Sequence, residues 1–320
     1  MTTPRSFTSG HFELTIDGHQ SSAFVKSVDG GWARAQVVDD PNGSTNARVK
    51  HISTVEVEPF SIECGMTGAG DVLKWIQGSW NRQWSRRNGE ITHANFDLYE
   101  TYRHEFFEAL ITEATFPALD ASATGGGGGG FLKFKFQPET IKTKTKPGGE
   151  GSTGSGGARV VGRIGPQVKQ KMWNPSAFRF SLDSLDEMRH VNKIESFTIK
   201  QSVKKLFTGA DRFPQIEPTG IQFPNLTGTI ALQHAGGLLA WHEEYIRSGK
   251  KDVPSQKTGM IEFLSPDRKS TLFSINLHQV GIAFAGIESA TANAEQIKRV
   301  KFELFVHRME LDGPGALGFE

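Results

Sequence analysis

The sequence predicts a mainly β protein built of two tandem antiparallel β-barrel or sandwich domains, each flanked by one α-helix. Three observations predict it. Apolar and polar residues alternate along much of the chain, as in "FELTID" (12–17) and "FRFSLD" (178–183), the period of a strand with one buried face. Two short stretches, "GDVLKWIQGSW" (70–80) and "GGLLAWHEEYIRSG" (236–249), interrupt that alternation with apolar residues at helical spacing. The two stretches also fall in register: Trp75 and Trp241 lie 166 positions apart (241 − 75), as do Leu73 and Leu239 (239 − 73).

The same shift carries "FELTID" onto "FRFSLD", matching Phe12, Ile16 and Asp17 with Phe178, Leu182 and Asp183. Beyond the helix the shift becomes 168. Phe116 then meets Phe284 (284 − 116), Leu119 meets Ile287, and Phe134 meets Phe302. A two-residue insertion explains the change. The chain therefore reads as a duplication: domain 1 at 1–144, a linker at 145–176 and domain 2 at 177–320. The stretch 144–169 is rich in Gly, Pro and Ser, a composition that cannot bury enough apolar surface to fold alone.

Within domain 1, strands are expected near 11–17, 22–37 and 47–64, a helix over 70–82, then strands near 91–99, 105–118 and 131–144. In domain 2 the strands fall near 177–183, 190–204 and 225–235, the helix over 236–248, and later strands near 258–265, 271–286 and 296–311. Val72, Leu73, Trp75, Ile76 and Trp80 share one side of the first helix. Leu238, Leu239, Trp241, Tyr245 and Ile246 do so in the second. Such short amphipathic helices need a sheet to lie on. Trp75, Trp241, Phe116, Phe284, Phe134 and Phe302 are the expected core. "VKHISTVEVEPFSIEC" and "KIESFTIKQSVKKLF" are long, strongly alternating runs. Their edges invite pairing with another chain, which marks Val55, Val57, Phe197 and Ile199 as candidate assembly residues.

Composition narrows the function classes. The 320 residues suffice for two cores, with 37% apolar and 22% charged residues and a net charge of +1. Lys and Arg against Asp and Glu give 16 − 18 = −2 over 1–160 and 20 − 17 = +3 over 161–320. Neither half is basic enough to argue for strong nucleic-acid binding. No run of 18 apolar residues suggests membrane insertion, and "MTTPRSFTSG" lacks the apolar centre of a secretory signal. The single cysteine, Cys64, rules out an internal disulfide framework and suits the cytosol.

No catalytic, cofactor or metal constellation emerges. "RHEFFEAL" (103–110) has His-Glu without a second His four residues on. His242, Glu243 and Glu244 read as the polar side of a helix. The glycine run 124–130 lacks a Lys-Ser/Thr ending and leads into a strand, so it is no phosphate loop. Lys133, Lys135, Lys142, Lys144 and Lys146 form an alternating basic stripe, read as a solvated strand face or a surface that meets anions. Trp32, Trp75, Trp80, Trp84, Trp173 and Trp241 leave open a soluble ligand- or sugar-binding β-sandwich as the alternative to an assembly protein.

Several blocks, in order, resemble the tail tube protein family of contractile phages and bacterial contractile injection systems. They are "HFELTIDG", "AFVKSVDG", the Leu-x-x-Trp-like "VLKW" of the first helix, "ITHANFDLY", "ALITEATFPALDASA" and "GFLKFKF". The second copy keeps "FRFSLDS", "LLAW" and "FAGIESAT", with Phe284-Ala285 where the first has Phe116-Pro117. The resemblance implies β-barrel subunits that form six-fold rings stacked into a tube. Two fused units imply either a pseudo-six-fold trimer or a hexamer spanning two rings, as inner tube or as tube–baseplate adaptor. The implied partners are further copies of the chain and tube, baseplate or sheath proteins, with DNA or protein passing through the lumen. No enzyme activity and no cofactor are implied. The implied location is a phage tail or injection particle assembled in the bacterial cytoplasm.

Overall fold

The computed structural model describes residues 10–20, 23–42, 47–66, 68–96, 98–123, 130–145, 173–209, 211–289 and 297–313. The glycine run 124–129, Lys146 and most of the expected linker, 146–172, lie outside them. In the first half the strands are β1 (His11–Ile16), β2 (His19–Gln20), β3 (Val25–Gly30), β4 (Ala33–Asn42), β5 (Ala47–Val57) and β6 (Phe60–Gly65). After α1 (Gly70–Trp80) come β7 (Arg87–Ala94), β8 (Glu100–Phe116), β9 (Leu119–Asp120), β10 (Phe131–Gln137) and β11 (Thr140–Thr145). In the second half β12 (Phe178–Leu182), β13 (Val191–Ile194), β14 (Phe197–Leu206), β15 (Gln215–Gln222) and β16 (Leu226–Ala231) precede α2 (Gly236–His242). β17 (Lys257–Leu264), β18 (Thr271–Ile287) and β19 (Arg299–Asp312) follow.

Breakers divide the long expected strands. The run 22–37 splits because Gly30 and Gly31 sit at φ of 83° and 76°, a backbone open to glycine. A Cβ on Gly31 would also fall 2.0 Å from the Phe60 ring. Pro59 separates β5 from β6, and Pro138 separates β10 from β11. β15 is not among the expected strands, since Pro218 and Gly220 obscure its alternation.

The helices form as their apolar spacing requires. Asp71 lies in the first turn of α1, where a negative charge suits the helix dipole. Val72, Leu73, Trp75, Ile76 and Trp80 are buried. Arg82, at φ 56°, ends α1: its N–H bonds the Ser79 carbonyl at 3.1 Å, and the next N–H, of Gln83, bonds that of Gly78 at 3.0 Å. This is a Schellman closure with Arg82 in the usual glycine place. In the second half Leu238, Trp241 and Tyr245 are buried, whereas Ile246 is exposed. α2 widens into one π turn over Glu243–Arg247.

All pairing is antiparallel. One sheet runs β2-β1-β7-β8-β10-β6-β3, and β11 also pairs with β8. A second runs β12-β17-β18-β19-β16-β13-β9. From β1 and from β12 onward the sheets repeat one order, with β10 and β11 jointly in the place of β19. β8 and β18 both have 17 residues. Each carries one non-glycine residue in the left-handed region, Glu108 and Gln279 (φ 52° in both).

These ladders correct two expected matches, Phe116 with Phe284 and Leu119 with Ile287. Phe134 lies opposite Ala114, and Phe302 lies opposite Ala285. Ala285 thus stands where Ala114 stands, 171 positions on (285 − 114). Phe116 corresponds to Ile287 and Phe284 to Glu113, so the 168 shift fails for this strand. Phe284 is accordingly 47% exposed and no core residue. Trp75, Trp241, Phe116, Phe134 and Phe302 are buried. The physical cause is extra residues between helix and β8/β18, which apolar alternation does not count.

Candidate assembly surface

Sheet membership does not follow the sequence halves. β9 of the first half pairs with β13, Leu119 facing Ile194. The β14–β15 hairpin of the second half leaves its own sheet and adds β14 to β8. There Phe197 faces Phe116, Thr198 faces Thr115, Ile199 faces Ala114 and Lys200 faces Glu113. Phe116 and Phe197 stack at 5.3 Å and 14°. The Phe116 ring also meets Trp80 at 5.9 Å, Phe263 at 5.9 Å and Phe273 at 6.4 Å. Such a dry aromatic cluster contributes more than its buried area alone. On the other face the Thr115 and Thr198 hydroxyls lie 2.9 Å apart.

Polar groups fasten the same junction. Arg86 donates to the Ile216 carbonyl at 2.6 Å and also pairs with Glu139. Glu139 accepts the Ile216 N–H at 2.8 Å. Gln77 of α1 donates to the Leu311 carbonyl of β19 at 2.7 Å. Lys205 of β14 reaches Glu56 of β5 at 2.6 Å. Of the candidate assembly residues, Phe197 and Ile199 therefore lie inside a contact made within one chain.

The first half has the same kind of hairpin. Among the described residues β4 and β5 pair with each other alone. The β4–β5 register passes Arg34↔Glu56, then shifts between Ala35 and Val37, where Val37 faces Ile52. The β14–β15 register passes Lys200↔Gln222, then shifts between Gln201 and Val203, where Val203 faces Pro218. Each of these positions is displaced by 166 (200 − 34, 222 − 56, 203 − 37, 218 − 52). Val55 and Val57 lie on this hairpin, Val57 opposite Ala33 and buried, Val55 half-buried.

At the root of the free hairpin stands an aromatic group. Trp32, 52% exposed, meets His104 at 4.8 Å and Tyr102 at 5.8 Å. His93 lies 5.5 Å from Tyr102. His93 Nε2, Tyr102 Oη and His104 Nδ1 are buried without hydrogen-bond partners. Burial holds the His104 imidazole down at about 4, helped by the neighbouring His93, and lowers His93 as well. Both rings are neutral at pH 7. Nothing in the chain's periodicity marks this group, since His93 lies on β7, Tyr102 and His104 on β8, and Trp32 in the link between β3 and β4.

Among the described residues no three His, Cys, Asp or Glu side chains gather as metal ligands. Cys64 is buried, and burial pushes its thiol up to about 12, so it is no nucleophile. Trp75, Trp80, Trp173 and Trp241 are buried and offer no stacking surface. No helix among the described residues is long and apolar enough to cross a membrane.

The architecture defined here is that of a β-rich protein with an unpaired hairpin and an internal hairpin-to-sheet junction. Residues 8–125 match the family of T4-like virus tail tube protein gp19. No curated protein matches the chain. Among solved structures, a chain of the sheath/tube terminator of an extracellular contractile injection system (PVC) is 13% identical. The match covers 45% of this chain and 100% of that one, with a TM-score of 0.39. A chain of the sheath–tube complex of that system is 16% identical over 42% of this chain and 88% of its own, with a TM-score of 0.34. Hcp1 from Flavobacterium johnsoniae is 14% identical over 42% of this chain and 96% of its own, with a TM-score of 0.29.

Proposed function

We propose that the chain is a structural ring subunit of a contractile phage tail or injection tube, with two tube-type units, 1–144 and 177–320, fused in one polypeptide. The observation that carries this reading is the repeated strand order, joined by a hairpin that completes the sheet of the other half. A hairpin added head-to-tail from unit to unit is a heterologous contact, and such contacts close into rings when the rotation permits. The gp19-family match over 8–125 supports a ring of the tail-tube kind.

Three chains then supply six units in a pseudo-six-fold ring. Neighbouring positions in such a ring alternate between two similar but distinct surfaces. That suits an adaptor where a six-fold tube meets a three-fold partner better than it suits a uniform tube. The subunit works by shape and cohesion, without enzyme activity or cofactor. Its partners are further copies of itself and the tube, baseplate or sheath proteins next to it, in a particle put together in the bacterial cytoplasm.

Mass photometry with negative-stain imaging tests this. A trimer of the 35.2 kDa chain has a mass of about 106 kDa (3 × 35.2) and a central opening. A hexamer of about 211 kDa (6 × 35.2) would favour two stacked rings. A chain that stays monomeric at high concentration, alone and with tube proteins, refutes the ring.

A further inference from the structure

One hairpin in this chain is paired and its counterpart is not. The edge that would receive it is also open. β17 pairs with β18 only up to Val280, so among the described residues the stretch Phe284–Ile287 has β19 on one side alone. In the first half the corresponding stretch, Glu113–Phe116, has β10 on one side and β14 on the other. The exposures follow: Phe116 is 0% exposed, whereas its counterpart Ile287 is 60% exposed.

We infer that β4 of one copy adds to the open edge of β18 in a second copy, with Ala33 opposite Ala285, Trp32 opposite Gly286 and Arg34 opposite Phe284. This deepens the ring reading and rests on it. The register is the internal one carried over by the shifts already given: 166 along the hairpin and 171 along β18. It is a register, not an adjustable fit, and three independent features agree with it.

First, the backbone groups face the right way. The Glu58 N–H bonds the Trp32 carbonyl at 2.9 Å, so by ladder alternation the N–H and C=O of Ala33 turn away from β5. The Glu288 N–H bonds the Arg299 carbonyl at 2.9 Å, so those of Ala285 and Ile287 turn away from β19. Ala33 and Ala285 can therefore exchange hydrogen bonds. Gly31, at φ 76°, ends this ladder one residue sooner than Phe197 ends the internal one.

Second, the side chains are complementary. Trp32, half-exposed, comes to stand at Gly286, over which the Phe284 ring lies, 2.7 Å from where a Cβ would be, so the indole meets that ring instead of a side chain of residue 286. In the internal junction two threonines share that place. Arg34, whose present partner is Glu58 at 2.6 Å, comes to face the exposed Phe284 ring, a cation–π arrangement.

Third, Ile287 has a place to go. Its counterpart Phe116 packs against Phe263 and Phe273. The corresponding first-half residues are His93 and Tyr102, beside Trp32. The contact between chains is thus built on the same plan as the contact within a chain, but with polar rings where the internal one has phenylalanines. It is the weaker of the two, so chains fold as linked pairs of units before they assemble.

Disulfide trapping tests the register. Residues 34 and 284 would form a non-hydrogen-bonded pair with Cα atoms about 4.5 Å apart, inside disulfide range. Arg34→Cys protein is mixed with Phe284→Cys protein under mild oxidation. Buried Cys64 does not compete. The expected result is a two-chain species in the mixture and not in either variant alone. A mixture of Arg34→Cys with Ile287→Cys, which lies on the opposite face, should yield at least tenfold less. Trp32→Ala should raise the concentration for half-assembly at least tenfold while leaving the far-ultraviolet spectrum unchanged. Rings that form without the 34–284 cross-link, or that link 34 to 287 equally well, overturn this contact and leave the ring reading standing. Protein that never assembles overturns both.

Discussion

The internal junction makes the sharpest quantitative prediction. Phe116 is fully buried and touches residues from both halves: Trp80 from its own, and Phe197, Phe263 and Phe273 from the other. Phe116→Ala should destabilise the chain by roughly 3–5 kcal/mol, the range for a buried Phe truncation. Phe197→Ala, at a partner 4% exposed, should cost about as much. Because the two rings stack, the double variant should cost less than the sum, with a coupling of about 0.5–1.5 kcal/mol. The counterpart Ile287 provides the internal control. Exposed in the single chain, its change to Ala should alter stability by within about 0.5 kcal/mol. Urea unfolding at low protein concentration, followed by tryptophan fluorescence, measures all four proteins under one condition. Strict additivity of Phe116→Ala and Phe197→Ala, or a Phe116→Ala loss below about 1 kcal/mol, would refute the junction as the element that binds the halves together.

Three further outcomes are expected. Trp75→Ala should cost roughly 3–5 kcal/mol in urea unfolding, since the ring is buried and its N–H donates to the Ser85 carbonyl at 3.2 Å; a loss under about 1 kcal/mol would contradict its core placement. His104 takes up its proton only near pH 4 when folded but near 6.5 when unfolded, so the unfolded state binds more protons between those values. Stability should therefore be level above about pH 6.5 and fall toward pH 4, by on the order of 3 kcal/mol from His104; His104→Phe should flatten that slope in thermal unfolding, and parallel curves would show the imidazole is not responsible. Cys64, buried with its thiol held up at about 12, should react with a thiol reagent at pH 8 only as fast as the protein unfolds; prompt labelling of native protein would place it at the surface.

The split between what was legible and what was not follows from the range of each interaction. Alternation and helical spacing are local, so the β class, both helices and the burial of Trp75, Trp241, Phe134 and Phe302 could be read from neighbours along the chain. The repeated strand order of the two halves left a trace wherever matching residues kept the same chemistry, as in "VLKW" and "LLAW". It misled at β18, because Phe116 and Phe284 look alike, yet the ladders put Ile287 in the place of Phe116. Register is fixed by hydrogen bonds to strands far away in sequence, and a bulge shifts it without leaving a mark in apolar periodicity. The alternating runs around Val57 and Ile199 read as edges that pair with another chain, yet Ile199 lies opposite Ala114 and Val57 opposite Ala33 of the same chain. Only the tertiary structure could decide that Ile199 finds its partner in β8 of the same chain while the edge of β4 away from β5 finds none there among the described residues. A strand's sequence records that its edge can pair, and the placement of whole sheets determines with what.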